Sequence, residues 1–399
     1  MKIILQNLAK KLLFKKLTKI DYGCIKIVDQ NETYSFGNNK EIIGTIVINN
    51  RDFYFNVLFG GSIGASDSFV NGAWKSPNLT NIIRLMAINS HTTNNIESLY
   101  NLLIRPFFNI AHYLKRNNKK NSKKNISEHY DLNNIFFSQF LDSSMMYSSA
   151  IYRNTQDNLE LAAKNKLRII CKKLQLKKTD HILEIGTGWG GFAIYAATHF
   201  NCKVTTTTIS KQQFLYASSK VKKLKLQKKI KVIFKDYRDL KGAFDKLVSI
   251  EMIEAVGHKY YDQYFNKINL LLKKDGLALI QAITIRDQNY YSAINSVDFI
   301  QKYIFPGSCI PSLTILLNSI TSSSNMVTKD IEDIGNHYAR TLKHWRFNFN
   351  KNKQVIKNIG FDDTFIRMWI YYFSYCEGGF KEKVINNHQI LLAKPMFRH

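Results

Sequence analysis

Several residue types are scarce in this chain of 399 residues, and each scarcity excludes a class of protein. Cys24, Cys171, Cys202, Cys309 and Cys376 lie far apart and form no CxxC pair, which argues against a disulfide framework or a zinc knuckle. With only 5 prolines and 19 glycines, the chain is not linker-rich or collagen-like. No apolar run approaches the roughly 20 residues that a membrane-spanning helix needs. We therefore expect a globular protein of the reducing cytoplasm, without a metal site.

Acidic residues are also in deficit, since 57 Lys and Arg stand against 30 Asp and Glu, for a formal charge of +27. Such a charge indicates an anionic partner, which could be nucleic acid, an anionic membrane surface or a phosphorylated substrate. The charge does not choose among these partners. The excess of Lys, Asn and Ile is also what an AT-rich coding sequence would give.

The N-terminal segment MKIILQNLAKKLLFKKLTKI predicts a basic amphipathic helix rather than a secretory signal, because lysine pairs interrupt its apolar residues. This helix could lie on an anionic bilayer, with Ile4, Leu8, Leu12 and Phe14 turned toward the lipid, or it could pack on its own domain. The basic stretch at 220–231 suits phospholipid head groups or a solvated helix face equally well.

The pattern of the chain changes along its length. Short β-rich runs between about 20 and 60, the last of them DFYFNVLF, precede helical sequence and predict a small α+β domain over 1–115. Lysines and asparagines then predict a basic linker at 116–128. Within 129–399, alternating strands and helices predict a doubly wound, mostly parallel α/β sheet. After about residue 284 we expect helices and strands that cap this sheet.

A glycine-rich loop at 186–191 has the GxGxxG pattern, follows the apolar strand HILEI and opens a helix. A dinucleotide-binding loop also needs an acidic residue about 20 positions later, but residues 205–208 are all threonine. Instead, Glu184 precedes Gly186 by two residues, an arrangement typical of S-adenosylmethionine-dependent methyltransferases. The sequence therefore favours a methyltransferase over a NAD enzyme. A non-catalytic sheet with a glycine-rich turn remains the alternative.

Aromatic rings and carboxylates near strand ends are candidates for binding a cationic sulfonium donor. The aromatic candidates, each with core packing as its alternative, are Tyr147, Trp189 and Tyr237. Asp236 follows the third strand of the sheet, where such folds commonly meet adenine. Glu251 and Glu254 follow the fourth strand, at the edge where open α/β sheets bind ligands.

Eight blocks in a fixed order span most of the chain, among them ILEIGTGWGGFA (182–193), FDKLVSIEMIEAVG (244–257) and RMWIYYFSYCEGGF (367–380). In this order they resemble the cyclopropane-fatty-acyl-phospholipid synthases, with the related mycolic acid cyclopropane synthases and fatty-acid C-methyltransferases. The resemblance implies a Rossmann-like domain that transfers a methyl group from S-adenosylmethionine to a cis double bond in an unsaturated phospholipid acyl chain, giving a cyclopropane fatty acid through a carbocation. A branched methyl or methylene product, a basic RNA methyltransferase and a catalytically dead lipid-binding protein remain alternatives.

The resemblance also implies roles for individual residues. Its donor-binding positions fall on Tyr147, Ser148, Glu184, Gly186, Thr187, Gly188, Trp189, Gly190, Thr208, Ser210, Gln213, Asp236 and Tyr237. A bicarbonate ion is implied as the base, held by Glu254, the backbone amide of Ile283, Tyr338, Ser149 and Gln281. Ser149 and Gln281 replace a Cys and a His of the family, which puts this base in question. Cys376 occupies a position marked as active in part of the family, with a buried apolar thiol as the alternative.

The implied setting is the inner face of a membrane. We expect a peripheral protein whose N-terminal domain engages lipid, and whose partners are acyl chains and an anionic membrane surface rather than nucleic acid. The resemblance leaves a homodimer open.

Overall fold

The computed structural model describes residues 2–38, 41–90 and 134–398. The helices are α1 Lys2–Leu17, α2 Asp52–Val70, α3 Leu79–Ile88, α4 Asn134–Ser138, α5 Leu159–Lys173, α6 Gly191–His199, α7 Lys211–Lys223, α8 Tyr261–Leu271, α9 Asp287–Ala293, α10 Leu313–Ser323, α11 Gly335–Lys351, α12 Lys353–Asn358 and α13 Asp363–Lys381. The strands are β1 Cys24–Asp29, β2 Glu32–Phe36, β3 Ile43–Ile48, β4 Trp74–Lys75, β5 His181–Ile185, β6 Lys203–Thr208, β7 Ile230–Phe234, β8 Phe244–Ile250, β9 Leu272–Ile285, β10 Val327–Asp333 and β11 Ile385–Ala393. Across the described ranges, no helix has both the length and the hydropathy required to span a membrane.

The contacts divide the chain into two compact units. The first comprises Met1–Leu114, Asn295–Pro306 and Trp345–Val384, and the second comprises Lys115–Ile294, Gly307–His344 and Ile385–His399. This division differs from the single boundary expected at residues 116–128, because two later segments cluster with the N-terminal residues. The expected linker itself lies outside the described residues.

The first unit contains a four-stranded sheet in the order β2-β1-β3-β4, with β1 and β3 parallel. The prediction that DFYFNVLF is a strand is wrong, because this segment lies in α2. Phe53, Tyr54 and Leu58 are buried, whereas Phe55 is 42% exposed. This burial does not follow the strict alternation of a strand, and a short apolar run does not by itself distinguish the two structures.

Helix α1 presents two apolar faces. The buried face consists of Ala9, Leu13 and Leu17. The exposed face consists of Ile4, Leu8 and Leu12, which are 72%, 53% and 42% exposed. Phe14 does not join that face, because its ring packs against Tyr34 and Phe36 with centroids 4.8 and 4.9 Å away. Packing on its own unit is thus confirmed for one face of the helix, whereas contact of the exposed face with a bilayer stays a prediction.

The second unit contains a seven-stranded sheet in the order β10-β11-β9-β8-β5-β6-β7. Strands β5 to β9 pair in parallel, which confirms the predicted doubly wound α/β sheet. The later strands were expected to cap this sheet, but β11 and β10 extend its edge by antiparallel pairing. The basic stretch 220–231 is not one helix face either, since α7 ends at Lys223 and β7 begins at Ile230.

A buried ion network joins three elements of the first unit. Asp29 is 1% exposed and accepts hydrogen bonds from Lys10 Nζ at 2.8 Å, Tyr54 Oη at 2.9 Å and Arg51 Nη2 at 3.3 Å. Burial favours the neutral acid, but these hydrogen bonds outweigh burial, so the pKa of Asp29 is lowered. The carboxylate thereby connects β1 to α1 and α2.

Replacing Asp29 by Ala should destabilise the first unit by about 2 kcal/mol, because Tyr54 loses its acceptor and two cations lose their counter-ion. Since the folded-state pKa is depressed, this stabilisation is present above the ordinary carboxyl pKa and is lost as pH falls through the folded value. Urea denaturation of the full chain at pH 7 and pH 3 measures both effects. Asp21→Ala, at an exposed carboxylate, is the control. Equal losses in the two variants would contradict the network's importance.

Candidate active site

The glycine-rich loop begins where β5 ends and is fixed to the neighbouring strand. The backbone amides of Gly186 and Thr187 both donate to the carbonyl of Thr207 at 3.0 Å. Gly186, Gly188 and Gly190 have φ values of 100°, 51° and 86°, in the left-handed region that favours glycine. A Cβ on Gly188 would meet nothing within 4 Å. The loop is therefore anchored at its start and has open space beside its middle glycine, where a ligand can approach.

Glu184 lies on β5, just before the loop, and is 3% exposed. Its Oε2 atom is buried and has no hydrogen-bond partner among the described residues. Burial raises the pKa of Glu184 to about 8, although the Thr206 side chain acts in the opposite direction. A buried carboxyl oxygen without a partner is costly unless a ligand supplies the donor. The site therefore fits the ammonium group of a zwitterionic donor such as S-adenosylmethionine.

Three predicted donor-binding residues meet at the end of β6. Thr208 Oγ1 donates to Gln213 Oε1 at 2.8 Å and accepts from the backbone amide of Ser210 at 3.1 Å. Ser210 caps α7 by accepting from the amide of Gln213 at 3.3 Å. The capped turn holds these polar groups next to β5, the strand that precedes the glycine-rich loop, because β5 and β6 are paired neighbours.

The predicted aromatic residues do not form one cluster. Tyr147 and Trp189 share a neighbour, Phe137, whose ring centroid is 5.4 Å from the first and 4.8 Å from the second. Trp189 is 2% exposed, which matches core packing better than direct contact with a ligand. Tyr237 instead packs against Tyr264 at 5.5 Å, and burial raises the pKa of its hydroxyl.

Asp236 is occupied by its own turn. Its carboxylate accepts from the backbone amide of Arg238 at 3.0 Å and from the guanidinium Nε and Nη2 at 2.9 and 2.6 Å. Asp236 is 4% exposed. These bonds fix the turn after β7, and a role toward adenine stays a prediction.

A buried lysine lies beside predicted donor-binding residue Ser148. Lys166 on α5 is fully buried and donates from Nζ to Ser148 Oγ at 2.5 Å. Burial lowers the pKa of Lys166 to about 8, against the opposing charges of Glu251 and Asp142. This ammonium group is thus a buried cation whose protonation depends on the nearby carboxylates.

Glu254 follows β8 in a 3₁₀ turn at Ile253–Ala255. Its Oε1 accepts from the backbone amide of Ile283 at 2.5 Å, and its buried Oε2 has no hydrogen-bond partner among the described residues. Burial and then the charge of Glu251 raise the pKa of Glu254 to about 8. At pH 7 most of this carboxyl group is therefore protonated.

Glu251, directly after β8, accepts hydrogen bonds from four other residues. Its Oε1 accepts from the Ser149 amide at 3.0 Å, Gln281 Nε2 at 2.8 Å and Asn387 Nδ2 at 2.6 Å. Its Oε2 accepts from Tyr338 Oη at 2.7 Å. The backbone has φ 50°, a strained value for a residue with a side chain. The structure thus assembles a carboxylate site from four separate segments of the chain.

The sequence of this chain is similar to those of known proteins. A family model described as "Mycolic acid cyclopropane synthetase" matches residues 117–390. The chain is 33% identical over 353 residues to the cyclopropane-fatty-acyl-phospholipid synthase of Escherichia coli K12, covering 88% of this chain and 87% of that protein. The chain belongs to the mycolic acid cyclopropane synthetase family. This membership confirms the resemblance seen in the sequence blocks.

Two further relatives extend the family match. The tuberculostearic acid methyltransferase of Mycobacterium tuberculosis is 32% identical, with 84% of this chain and 79% of that protein covered. The crystal structure of mycolic acid cyclopropane synthase CmaA1 complexed with SAH and CTAB has a TM-score of 0.64 and 25% identity, covering 68% of this chain and 98% of that one. The Rossmann-like methyltransferase fold predicted for the family member is therefore confirmed.

The bicarbonate ion implied for this family does not fit the predicted residues. The Ser149 amide, Gln281 and Tyr338 donate to Glu251, and the Ile283 amide donates to Glu254. The Ser149 hydroxyl donates to the carbonyl of the next residue at 3.0 Å. The hydrogen bonds expected to hold a bound anion are therefore made to two carboxylates of the chain itself.

Cys376 lies on α13, which belongs to the first unit, whereas these residues belong to the second unit. Burial raises the pKa of its thiol, so the side chain is a neutral thiol at pH 7. These properties fit the buried-thiol alternative, and a catalytic role for Cys376 stays a prediction.

Two residues of the site had weak or no signals in the sequence. Glu251 was visible as an acid after the fourth strand, but nothing local paired it with Tyr338, which is 87 residues away. Asn387 had no signal, because β11 brings it to Glu251 across 136 residues of sequence. Only the pairing of β11 with β9 places Asn387 near Gln281.

Replacing Glu254 by Gln should stabilise this family member at high pH. Folding raises the carboxyl pKa to about 8 from about 4.3, so wild-type stability falls as pH rises through that window. Gln keeps an acceptor for the Ile283 amide but cannot ionise, so its melting temperature at pH 9 should exceed the wild-type value by at least about 2 °C. Thermal melts at pH 6 and pH 9 measure this difference. Glu160→Gln, at an exposed carboxylate, should keep the wild-type pH slope, and the same slope in Glu254→Gln would refute the raised pKa.

Proposed function

We propose that this protein transfers the methyl group of S-adenosylmethionine to the cis double bond of an unsaturated acyl chain in a membrane phospholipid, giving a cyclopropane fatty acid. The observation that carries the proposal is the 33% identity with a cyclopropane-fatty-acyl-phospholipid synthase over 88% of the chain. The site supports it independently, since an open glycine loop and the buried Glu184, whose Oε2 has no partner among the described residues, lie at the carboxyl edge of the same sheet as Glu251 and Glu254.

The donor supplies an electrophilic methyl group on a sulfonium centre. Glu184 and the loop from Gly186 to Gly190 would hold its amino-acid part and ribose, with Thr208 and Gln213 at the end of the neighbouring strand. Glu184 is protonated at pH 7 in the free protein, and a bound ammonium group would favour its charged form. Donor binding at this end of the site is thus coupled to loss of a proton.

The acceptor half of the site must tolerate a carbocation without supplying water to it. Glu254 contributes a mostly neutral carboxyl group there, and Tyr338 contributes a hydroxyl already engaged by Glu251. The Tyr338 hydroxyl hydrogen is committed to Glu251, and a protonated carboxyl group is a poorer nucleophile than a carboxylate. The residues around Glu251 and Glu254 therefore suit an alkene, which is a weak nucleophile that needs a dry site.

A branched methyl or methylene product is the second candidate. The tuberculostearic acid methyltransferase, 32% identical to this chain, favours it, because that relative is named for methylation rather than for ring formation. Ring closure and formation of a methylene branch differ only in which proton the carbocation loses, so the donor site would be the same in both cases; a saturated methyl branch would need a hydride donor as well. The product alone distinguishes them.

Incubation of the purified protein with methyl-labelled S-adenosylmethionine and vesicles of mono-unsaturated phospholipid should transfer label to the lipid. Bulk RNA in parallel should stay unlabelled. Mass spectrometry of the acyl chains then separates a ring from a saturated branch, since the two differ by two hydrogens, and nuclear magnetic resonance separates the ring from its isomer, the methylene branch. Glu184→Gln should weaken donor binding in calorimetry about tenfold, the effect of losing one charged hydrogen-bond acceptor. Labelled RNA with unlabelled lipid would overturn the acyl acceptor.

A membrane-surface role follows for α1. Its exposed face combines Ile4, Leu8 and Leu12 with the exposed lysines Lys11 and Lys15, which lie at the helical spacing of a single stripe. Apolar residues flanked by cations suit the interface of an anionic bilayer, where each cation contributes about 1 kcal/mol. We therefore expect peripheral binding at an anionic leaflet, on the cytoplasmic side where free cysteines persist.

The double variant Leu8→Glu/Leu12→Glu should reduce co-sedimentation with anionic phospholipid vesicles by about tenfold or more, because two exposed apolar contacts are lost and two negative charges face the leaflet. The matched control is Leu270→Glu, on α8, which is 66% exposed and lies outside the α1 face. Binding that is unchanged in the double variant, or equally weakened in the control, would exclude α1 as the lipid-binding face.

A further inference from the structure

We propose that Glu251 replaces the bound bicarbonate ion and acts as the base of the reaction, so that the enzyme works without an external anion. The inference rests on the proposed function and names a catalytic residue of that same site. It starts from a disagreement: the residues expected to hold an anion are hydrogen-bonded to a carboxylate that belongs to the chain.

Hydrogen-bond donors decide where an anion can be held in a buried site. Of the groups assigned to bicarbonate, the Ser149 amide, Gln281 and Tyr338 all donate to Glu251, at 2.7 to 3.0 Å. Asn387 adds a shorter bond of 2.6 Å. A bicarbonate ion would have to displace the Glu251 carboxylate to gain the same donors, and the displaced carboxylate would then lack them.

Charge opposes a second anion as well. Like charges in a protein site repel each other more strongly than they do in bulk water. Glu251 already raises the pKa of Glu254, which shows that its charge is felt at the neighbouring carboxyl group. Lys166, the buried cation affected by Glu251, directs its own hydrogen bond to Ser148. An additional anion would therefore meet repulsion from Glu251.

The Glu251 carboxylate is held in a fixed position by these partners. Gln281 presents its amide nitrogen to Glu251 because its oxygen accepts from Gln389 Nε2 at 3.0 Å. The Glu251 amide donates to the Gln281 carbonyl at 2.7 Å, which fixes the strained backbone at the end of β8. The departure from His at Gln281 is then understandable, since a neutral amide donor suffices for a permanent carboxylate. The departure from Cys at Ser149 has no such explanation, because Ser149 contacts Glu251 through its backbone amide and its hydroxyl donates to the Ala150 carbonyl.

The two acids of the site differ in their surroundings: burial favours the neutral form of Glu254, whereas four hydrogen-bond donors surround Glu251. Glu254 is mostly protonated at pH 7, whereas Glu251 accepts four hydrogen bonds as a carboxylate does. The Oε2 atom of Glu251 accepts one of these bonds, from Tyr338, and a carboxylate oxygen has two lone pairs. A lone pair of Oε2 is thus available for a proton from the substrate.

With Glu251 as the base, the atoms and electrons of the methyl transfer and ring closure balance. The alkene π electrons form a bond to the methyl carbon while the sulfur–methyl bond breaks and leaves its electron pair on sulfur. A carbocation remains on the adjacent chain carbon. Glu251 then takes one proton of the added methyl group, and the electrons of that C–H bond close the three-membered ring. A weakly basic carboxylate suffices, because a proton next to a carbocation is strongly acidic.

The test compares the wild type, Glu251→Gly, Glu251→Gln and the exposed-site control Glu332→Gln, each in carbon-dioxide-depleted buffer and with added bicarbonate. Wild type and control should change less than about twofold on depletion. Glu251→Gly should lose at least about 100-fold in rate, the range of a general base, and recover in part with bicarbonate. Glu251→Gln should stay slow in both buffers, because its amide fills the space without accepting a proton.

Binding of ¹³C-labelled bicarbonate, followed by nuclear magnetic resonance, gives a readout apart from activity: saturable binding is expected only in Glu251→Gly. Thermal melts check folding, and Gly suits the positive φ of this position. Saturable bicarbonate binding by the wild type, or loss of its rate on depletion, overturns the inference while leaving the proposed function intact. Absence of any methyl transfer to lipid by the wild type overturns both.

Discussion

An anion taken out of water needs donors to replace its hydration, and the organisation of this active site follows from that need at Glu251. Glu251 is half-buried, and a carboxylate that loses part of its hydration is destabilised unless hydrogen bonds replace that water. Here the compensation comes from the loop at Ser149, strand β9 at Gln281, helix α11 at Tyr338 and strand β11 at Asn387. The carboxylate thereby ties together segments that are far apart in the chain.

The remaining electrostatics of the second unit depend on this charge. A negative Glu251 helps keep Glu254 neutral and opposes the loss of a proton from Lys166. The carboxyl group of Glu184 differs, because it is buried and its Oε2 has no hydrogen-bond partner within the part of the chain that the structure describes. The protein itself thus supplies the hydrogen-bond donors of Glu251, whereas Glu184 keeps a buried oxygen that a ligand could reach.

The packing of the first unit depends on another charged residue, the buried Asp29. Asp29 draws α1 and α2 onto the sheet through Lys10, Arg51 and Tyr54. With one face of α1 held by the unit, its other apolar face is left exposed. An exposed apolar stripe beside lysines is costly in water and suits a lipid surface. Packing on the unit and availability to a membrane are therefore compatible in one helix.

Local sequence determined the strands β5 to β9, the glycine loop and Glu184, because apolar periodicity and positive-φ glycines are local requirements. Ordered sequence blocks determined the family. Tertiary structure alone decided that DFYFNVLF is helical, that β10 and β11 extend the sheet, and that Glu251 accepts from residues up to 136 positions away. The physical reason is that burial and hydrogen-bond partners arise from contacts between distant segments, which no short window of sequence contains.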